Sequence, residues 1–260
     1  MSADAALLLA GAATGLLVGL TGVGGGALMT PLLLLLGVAA PVAVATDLWF
    51  AVITKIAAIA AHRRHATIDW PVVRRLWAGS IPVALAVAWL VSHGAQPGKV
   101  GWLSQAIGVM VCIAALGILL GPMLLRRLQR PAAHDLPPRW QVPLTSGAGA
   151  VLGGAVALTS VGAGTLGSVL LLLLYPQRLN AHRLVLADLV HATGLAVIAG
   201  TAYAARGLVD AALLGQLLLG SVPAALLGGY LAGRTPSLVL QRALAVVLLL
   251  IGGKTAWGSG

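Results

Sequence analysis

A few charged residues lie inside long apolar segments of this chain, where a charge is costly. Two of them, Asp47 and Lys55, share one segment. A charged side chain in the middle of a membrane costs roughly 2.5–3.5 kcal/mol, so it usually serves a function or has a partner. Eight residues of helix span about 12 Å, so Lys55 is too far from Asp47 for a direct bond. We interpret Lys55 as a contact for an anion and Asp47 as its electrostatic balance or a proton carrier. Alternatively, both are structural groups paired with other helices.

In the second half of the chain, Asp188 and His191 are three positions apart and therefore share a helix face. An imidazole beside a carboxylate can relay protons, and the alternative is a buried hydrogen-bonded pair with a structural role. Asp47, Asp188 and His191 are therefore the candidate residues for proton coupling. The histidines have no cysteine or carboxylate at metal-ligand spacing, so no metal site is predicted. No nucleophile–base pair or nucleotide motif is present, so we expect neither a catalytic residue nor a cofactor.

A glycine-rich stretch, Thr21 to Gly26, separates two apolar runs, Ala5–Leu20 and Ala27–Leu36. Neither run reaches the roughly 20 residues that a straight helix needs to cross a bilayer. Glycine destabilises a helix interior by about 1 kcal/mol, and irregular backbone in a membrane is tolerated only inside protein or along a cavity. The pattern therefore predicts a broken, re-entrant helix pair. A similar break, Leu158 to Gly164, follows a second short apolar run.

Paired helix breaks favour an anion-binding site, because helix N-termini present free N–H groups and a favourable dipole. The alternative is that small residues at the breaks only allow close helix packing. The predicted anion-binding residues are glycines and hydroxyl residues of the breaks, with two residues of the next segment: Thr21, Gly22, Gly24, Gly25, Gly26, Thr46, Lys55, Thr159, Ser160, Gly162, Gly164 and Thr165.

The composition predicts an all-α polytopic membrane protein, since 59% of the 260 residues are hydrophobic and only 8% are charged. The formal charge of +10 could indicate a nucleic-acid partner, but the arginines lie at the ends of apolar segments, as topology signals do. We therefore predict a lipid bilayer, and no nucleic acid, around this chain. Cys112 is the single cysteine and implies no disulfide. The N-terminus has no basic region typical of a cleaved signal peptide.

Internal matches predict two repeats. Asp47-Leu48 matches Asp188-Leu189, and the segment from Gly79 to Leu85 resembles that from Gly220 to Leu226. The first repeat is residues 1–125, with a broken segment at 5–36 and spans at 42–61, 76–91 and 102–125. A polar linker covers 126–141. The second repeat is residues 142–260, with a broken segment at 142–174 and spans at 184–204, 211–232 and 238–257.

Charge predicts the orientation of these repeats. If each broken segment enters and leaves on one side, each half crosses three times and the second half is inverted. The loops at 62–75, 126–140, 177–183 and 233–242 then share one side and carry twelve arginines. That side is expected to be cytoplasmic, which puts both termini outside the inner membrane.

The residues of these breaks and spans resemble the sulfite exporter TauE/SafE family of bacterial membrane anion transporters. The likeness covers nearly the whole chain and is carried by these segments: Gly19 to Gly26 leading to Pro31, Ala45 to Leu48, Ile53 to Lys55, Ala187 to Ala192, and Gly220 to Pro223. It implies export of a small sulfur-containing anion such as sulfite or an organosulfonate. An importer or an uncoupled facilitator is the alternative, and a membrane-embedded enzyme or structural subunit is a weaker one. Proton coupling and homo-oligomerisation are left open.

Overall fold

The computed structural model describes residues 3–21, 26–62, 67–94, 101–128, 137–161, 165–179, 181–232 and 237–257. Within these ranges the regular structure is entirely helical. The helices in chain order are α1 (Ala3–Thr21), α2 (Gly26–Leu35), α3 (Ala40–His62), α4 (Trp70–Gly94), α5 (Gly101–Leu128), α6 (Pro138–Thr159), α7 (Thr165–Leu174), α8 (Ala181–Ala204), α9 (Ala211–Ala232) and α10 (Ser237–Trp257).

Six of these helices are long and apolar enough to cross a membrane: α3, α4, α5, α6, α8 and α9. Helices satisfy every backbone hydrogen bond within the segment, which is what a bilayer demands of a spanning chain. Large apolar side chains such as Leu226 and Trp257 are exposed on the outside of the bundle. The prediction of an all-α polytopic membrane protein is confirmed.

Both predicted breaks separate helices. α1 ends at Thr21 and α2 begins at Gly26, while α6 ends at Thr159 and α7 begins at Thr165. The two helices that follow the breaks have ten residues each, or about 15 Å, which is half the thickness of a hydrocarbon core. α6 is longer than the short run that we expected before the second break, because its stretch from Arg139 to Thr159 could cross a membrane alone. The re-entrant course of these segments stays a prediction.

Helix packing follows a matched pattern in the two halves. α1 packs on α9, and α6 packs on α4, while α3 meets α8 and α5 meets α10. Small residues allow the first two pairs to approach closely: an added Cβ at Gly15 would collide with the backbone of Ser221, and one at Gly153 with the backbone of Ser80. Two structurally matched halves would pack in this way. Their inversion across the membrane, and the domain boundaries, stay predictions.

The interior is centred on α3 and α8. Leu48 of α3 and Leu195 of α8 belong to the main apolar cluster, together with Ile107 of α5. Tyr203 near the end of α8 donates a hydrogen bond to the Ala157 carbonyl at 2.8 Å, which ties α8 to α6. α3 and α8 therefore form the centre of the helix bundle.

Candidate anion and proton site

The first carboxyl of the site belongs to Asp47, in the second turn of α3. It is fully buried, and Thr30 of the short helix α2 donates a hydrogen bond to its Oδ2 atom at 2.5 Å. Ser160, beyond the end of α6, also lies near this carboxyl, although its hydroxyl makes no hydrogen bond of good geometry within the described ranges. The Asp47 Oδ1 atom likewise has no hydrogen-bond partner there. One carboxyl oxygen is thus fixed by the short helix α2.

The second carboxyl belongs to Asp188, in the second turn of α8, and is 2% exposed. Ser168 of the short helix α7 donates to its Oδ2 atom at 3.3 Å. Gly167 lies so close to this carboxyl that an added Cβ would collide with Oδ1. A larger residue at position 167 would therefore push α7 away from α8.

Lys55 of α3 is 3% exposed and interacts electrostatically with Asp188 and with Asp47. Removing an ammonium group from water costs several kcal/mol unless opposite charge compensates for it. Lys55 and the two carboxyls therefore form a cluster of buried ionisable groups on α3 and α8, close enough for their charges to interact.

His191 is fully buried one turn after Asp188, but the two side chains do not hydrogen-bond to each other. Its Nε2 atom lies 3.0 Å from the Ser80 hydroxyl of α4, and its Nδ1 atom has no hydrogen-bond partner among the residues described. Trp77 of α4 donates a hydrogen bond to the His191 carbonyl at 3.1 Å. The imidazole is therefore positioned by α4, and the helix-face pairing with Asp188 predicted from spacing forms no direct bond.

Three of the predicted hydroxyl residues have defined places. Thr46 is buried, and its hydroxyl accepts a hydrogen bond from the Asp210 backbone N–H at 3.3 Å, next to the start of α9. Thr159 donates to the Ala155 carbonyl at 2.7 Å and accepts from the Val161 N–H at 3.1 Å. Both hydroxyls therefore form hydrogen bonds with backbone groups. Ser160 differs, because its backbone is left-handed, with φ of 58°, and its side chain faces the Asp47 region.

The remaining predicted anion-binding residues are at the breaks themselves. Thr21 ends α1, and Gly26 and Thr165 begin α2 and α7. The side chains of Thr21 and Thr165 lie outside the described part of the structure, as do the following residues in full: Gly22, Gly24, Gly25, Gly162 and Gly164. Their contact with an anion stays a prediction.

A family model described as Sulfite exporter TauE/SafE matches residues 7–255, which is nearly the whole length of the chain. The chain belongs to the TauE/SafE family. It is 38% identical over 257 residues to the probable membrane transporter protein YjnA of Bacillus subtilis (strain 168). That alignment covers 95% of this chain and 98% of YjnA. No solved structure matches the chain. Family and relative both point to a membrane transporter.

Three hydroxyl residues contact the ionisable groups of this TauE/SafE site and were not predicted from the sequence. Thr30 and Ser168 hold the two carboxyls, and Ser80 holds His191. A usable signal for the first two was their position, because each hydroxyl lies within five residues of the start of the helix after a break. Ser80 gave a weaker signal, since its partner is 111 residues away in the chain.

Within the described ranges, no group of three or more histidine, cysteine or acidic residues could hold a metal ion. The chemistry that these side chains offer is charge pairing, hydrogen bonding to oxyanions and proton uptake by carboxyl or imidazole groups.

Proposed function

We propose that this TauE/SafE protein exports a small sulfur-containing anion, such as sulfite or an organosulfonate, across the bacterial inner membrane in a proton-coupled manner. The observation that carries the proposal is the buried lysine, Lys55, that interacts with two carboxyls beside two helix breaks. A buried cation is costly, and a transporter of anions can use it as the contact that replaces water around its substrate.

Charge balance supports the coupling to protons. Asp47 and Asp188 together carry two carboxyls, whereas Lys55 supplies one positive charge to both. An anion that enters this buried cluster adds further negative charge, which is unfavourable in a medium of low dielectric constant. Protonation of a carboxyl offsets that charge, so anion and proton binding are expected to occur together.

The proposed topology places both termini outside and the arginine-rich loops in the cytoplasm. Single cysteines introduced at Arg64 and Lys99 in a Cys112→Ala background should react with an impermeant maleimide from opposite sides of the membrane. Reaction of both from the same side would contradict the inverted arrangement.

The function is tested by transport of labelled sulfite, methanesulfonate and sulfate in proteoliposomes that carry the pure protein, with empty liposomes as the control. We expect protein-dependent movement of sulfite or methanesulfonate, and accumulation above equilibrium when a pH gradient is imposed. Movement without gradient-driven accumulation would indicate a facilitator. Accumulation only in the inward direction would indicate an importer, and no movement of any of these anions would contradict the proposal.

A further inference from the structure

We propose that Thr30 and Ser168 are positioning residues that orient the carboxyls of Asp47 and Asp188 for proton uptake. The proposal deepens the proposed function and rests on it. Each hydroxyl belongs to the short helix after a break, and each hydrogen-bonds the carboxyl in the second turn of the helix that follows. The same contact therefore occurs once in each half of the molecule.

The two halves make this contact from the matching position of the short helix. The breaks align at an offset of 138 residues, because Thr21 to Gly24 (Thr-Gly-Val-Gly) matches Thr159 to Gly162 (Thr-Ser-Val-Gly). At this offset Thr30 corresponds to Ser168. Each half thus presents a hydroxyl at the same position, which points to a requirement for the contact itself.

A hydroxyl suits a carboxyl that gains and loses a proton. It can donate to the ionised form and accept from the protonated form, so one residue orients both states. At Asp47 the contact fixes Oδ2 and leaves Oδ1 without a hydrogen-bond partner among the described residues. Ser160, at the break after α6, lies near the same carboxyl.

The contact also links each carboxyl to a short helix that follows a break. α2 and α7 are the helices that follow the breaks, so a shift of either one would lengthen or break its hydrogen bond to the carboxyl. Losing a hydrogen bond to a charged group has a larger effect than losing one between neutral groups. Proton affinity would then respond to the position of the short helix.

Few other charged groups face the two carboxyls. α3 and α8 contribute Lys55 and His191 as well as the carboxyls themselves, and Lys55 interacts with all three of the others. The sequences of α2, α7 and α9 contain no charged residue, and the tyrosine of α9, Tyr230, is exposed. The charged or titratable residues of α4 and α6 lie near the helix ends: Arg74, Arg75, His93 and Arg139.

The test uses dicyclohexylcarbodiimide, which reacts with protonated carboxyls in apolar surroundings, and follows labelling of Asp47 by peptide mass spectrometry across pH. Thr30→Val removes the hydroxyl and keeps the shape, while Thr30→Ser restores the donor. Thr255→Val is the matched control, because the Thr255 hydroxyl bonds only to the Ile251 carbonyl of its own helix, at 2.8 Å. Ser168→Ala, read at Asp188, is an independent variant in the other half.

We expect Thr30→Val to move the pH midpoint of Asp47 labelling by about one unit or more, as loss of a hydrogen bond to a charged group implies. Thr30→Ser should return the midpoint close to that of the wild type, and Thr255→Val should leave it unchanged. An unchanged midpoint in both Thr30→Val and Ser168→Ala, or wild-type carboxyls that resist labelling at every pH, would overturn the proposal. The labelling needs no substrate, so a shifted midpoint without transport would contradict the proposed function alone.

Discussion

The two halves of the molecule hold their carboxyls in the same way but surround them with different chemistry. Asp47 and Asp188 are both buried in the second turn of a central helix, and each is bonded by a hydroxyl of the preceding short helix. At the matching positions, however, Lys55 corresponds to Ala196, and His191 corresponds to Phe50. Each half therefore supplies one carboxyl, whereas the cation is present only in the first half and the imidazole only in the second. Under the proposed function, this difference favours one shared anion site over two equal ones.

The space around the matched serines differs as well. Ser80 pairs with His191, and the Trp77 ring fills the neighbouring space against Gly194. In the other half, the Ser221 hydroxyl has no hydrogen-bond partner within the described ranges, and it lines a mostly apolar cavity of about 230 Å³ together with Phe50. The two halves thus share their backbone packing, but side chains fill the space beside the serine in only one of them. Residues at matched positions therefore need not have the same role.

The largest effect is expected from removing the single cation of this cluster. Lys55→Met should lower anion affinity about thirtyfold or more and abolish both modes of transport, because removing one partner of a buried charge pair costs about 2–5 kcal/mol of binding free energy. Lys254→Met, at an exposed lysine near the end of α10, is the control. Binding of labelled sulfite to the purified variants provides the measurement. Equal affinity in the two folded variants would make Lys55 a structural residue.

A smaller effect, confined to one mode of transport, is expected from neutralising a carboxyl. Asp47→Asn and Asp188→Asn should each lose accumulation driven by a pH gradient, because neither can exchange a proton at that position. Anion exchange at equal pH should persist, since Lys55 remains. Asp69→Asn, outside the cluster, serves as the control. If only one of the two variants loses gradient-driven accumulation in liposomes, then the halves are unequal in proton coupling, and the comparison above must be revised.

The smallest effect is expected on stability, at the close helix contacts that the halves share. Gly15→Ala and Gly153→Ala should lower the free energy of unfolding by similar amounts, about 1–3 kcal/mol, because the added Cβ meets backbone in both places. Gly147→Ala is the matched control, as no atom beyond its chain neighbours and its own helix backbone lies within 4 Å of the added Cβ. Thermal unfolding in detergent measures the difference. Destabilisation by one glycine variant alone would show that the two contacts are not equivalent.

Much of the fold was predictable from sequence because a bilayer imposes a simple rule. Backbone polar groups must be satisfied within each segment, so long apolar runs become helices and glycine clusters mark their interruptions. Gly26 and Thr165 accordingly begin the helices after the two breaks. The length of α6 was underestimated, because Pro143 and the glycines that follow it resemble the polar linker more than a helix. A neighbouring helix, α4, packs on these small residues, and α6 begins at Pro138.

The sequence by itself determined that this is a helical membrane protein, that it resembles TauE/SafE transporters, and that Asp47, Lys55, Asp188 and His191 are buried ionisable residues. These conclusions follow from local composition and from the cost of charge in lipid. Only the tertiary structure decided the partners: Thr30 for Asp47, Ser168 for Asp188, and Ser80 for His191. Helical spacing fixes which residues share a face of one helix. Which face a neighbouring helix turns toward it depends on how the helices pack, and the packed helices can lie far apart in the chain.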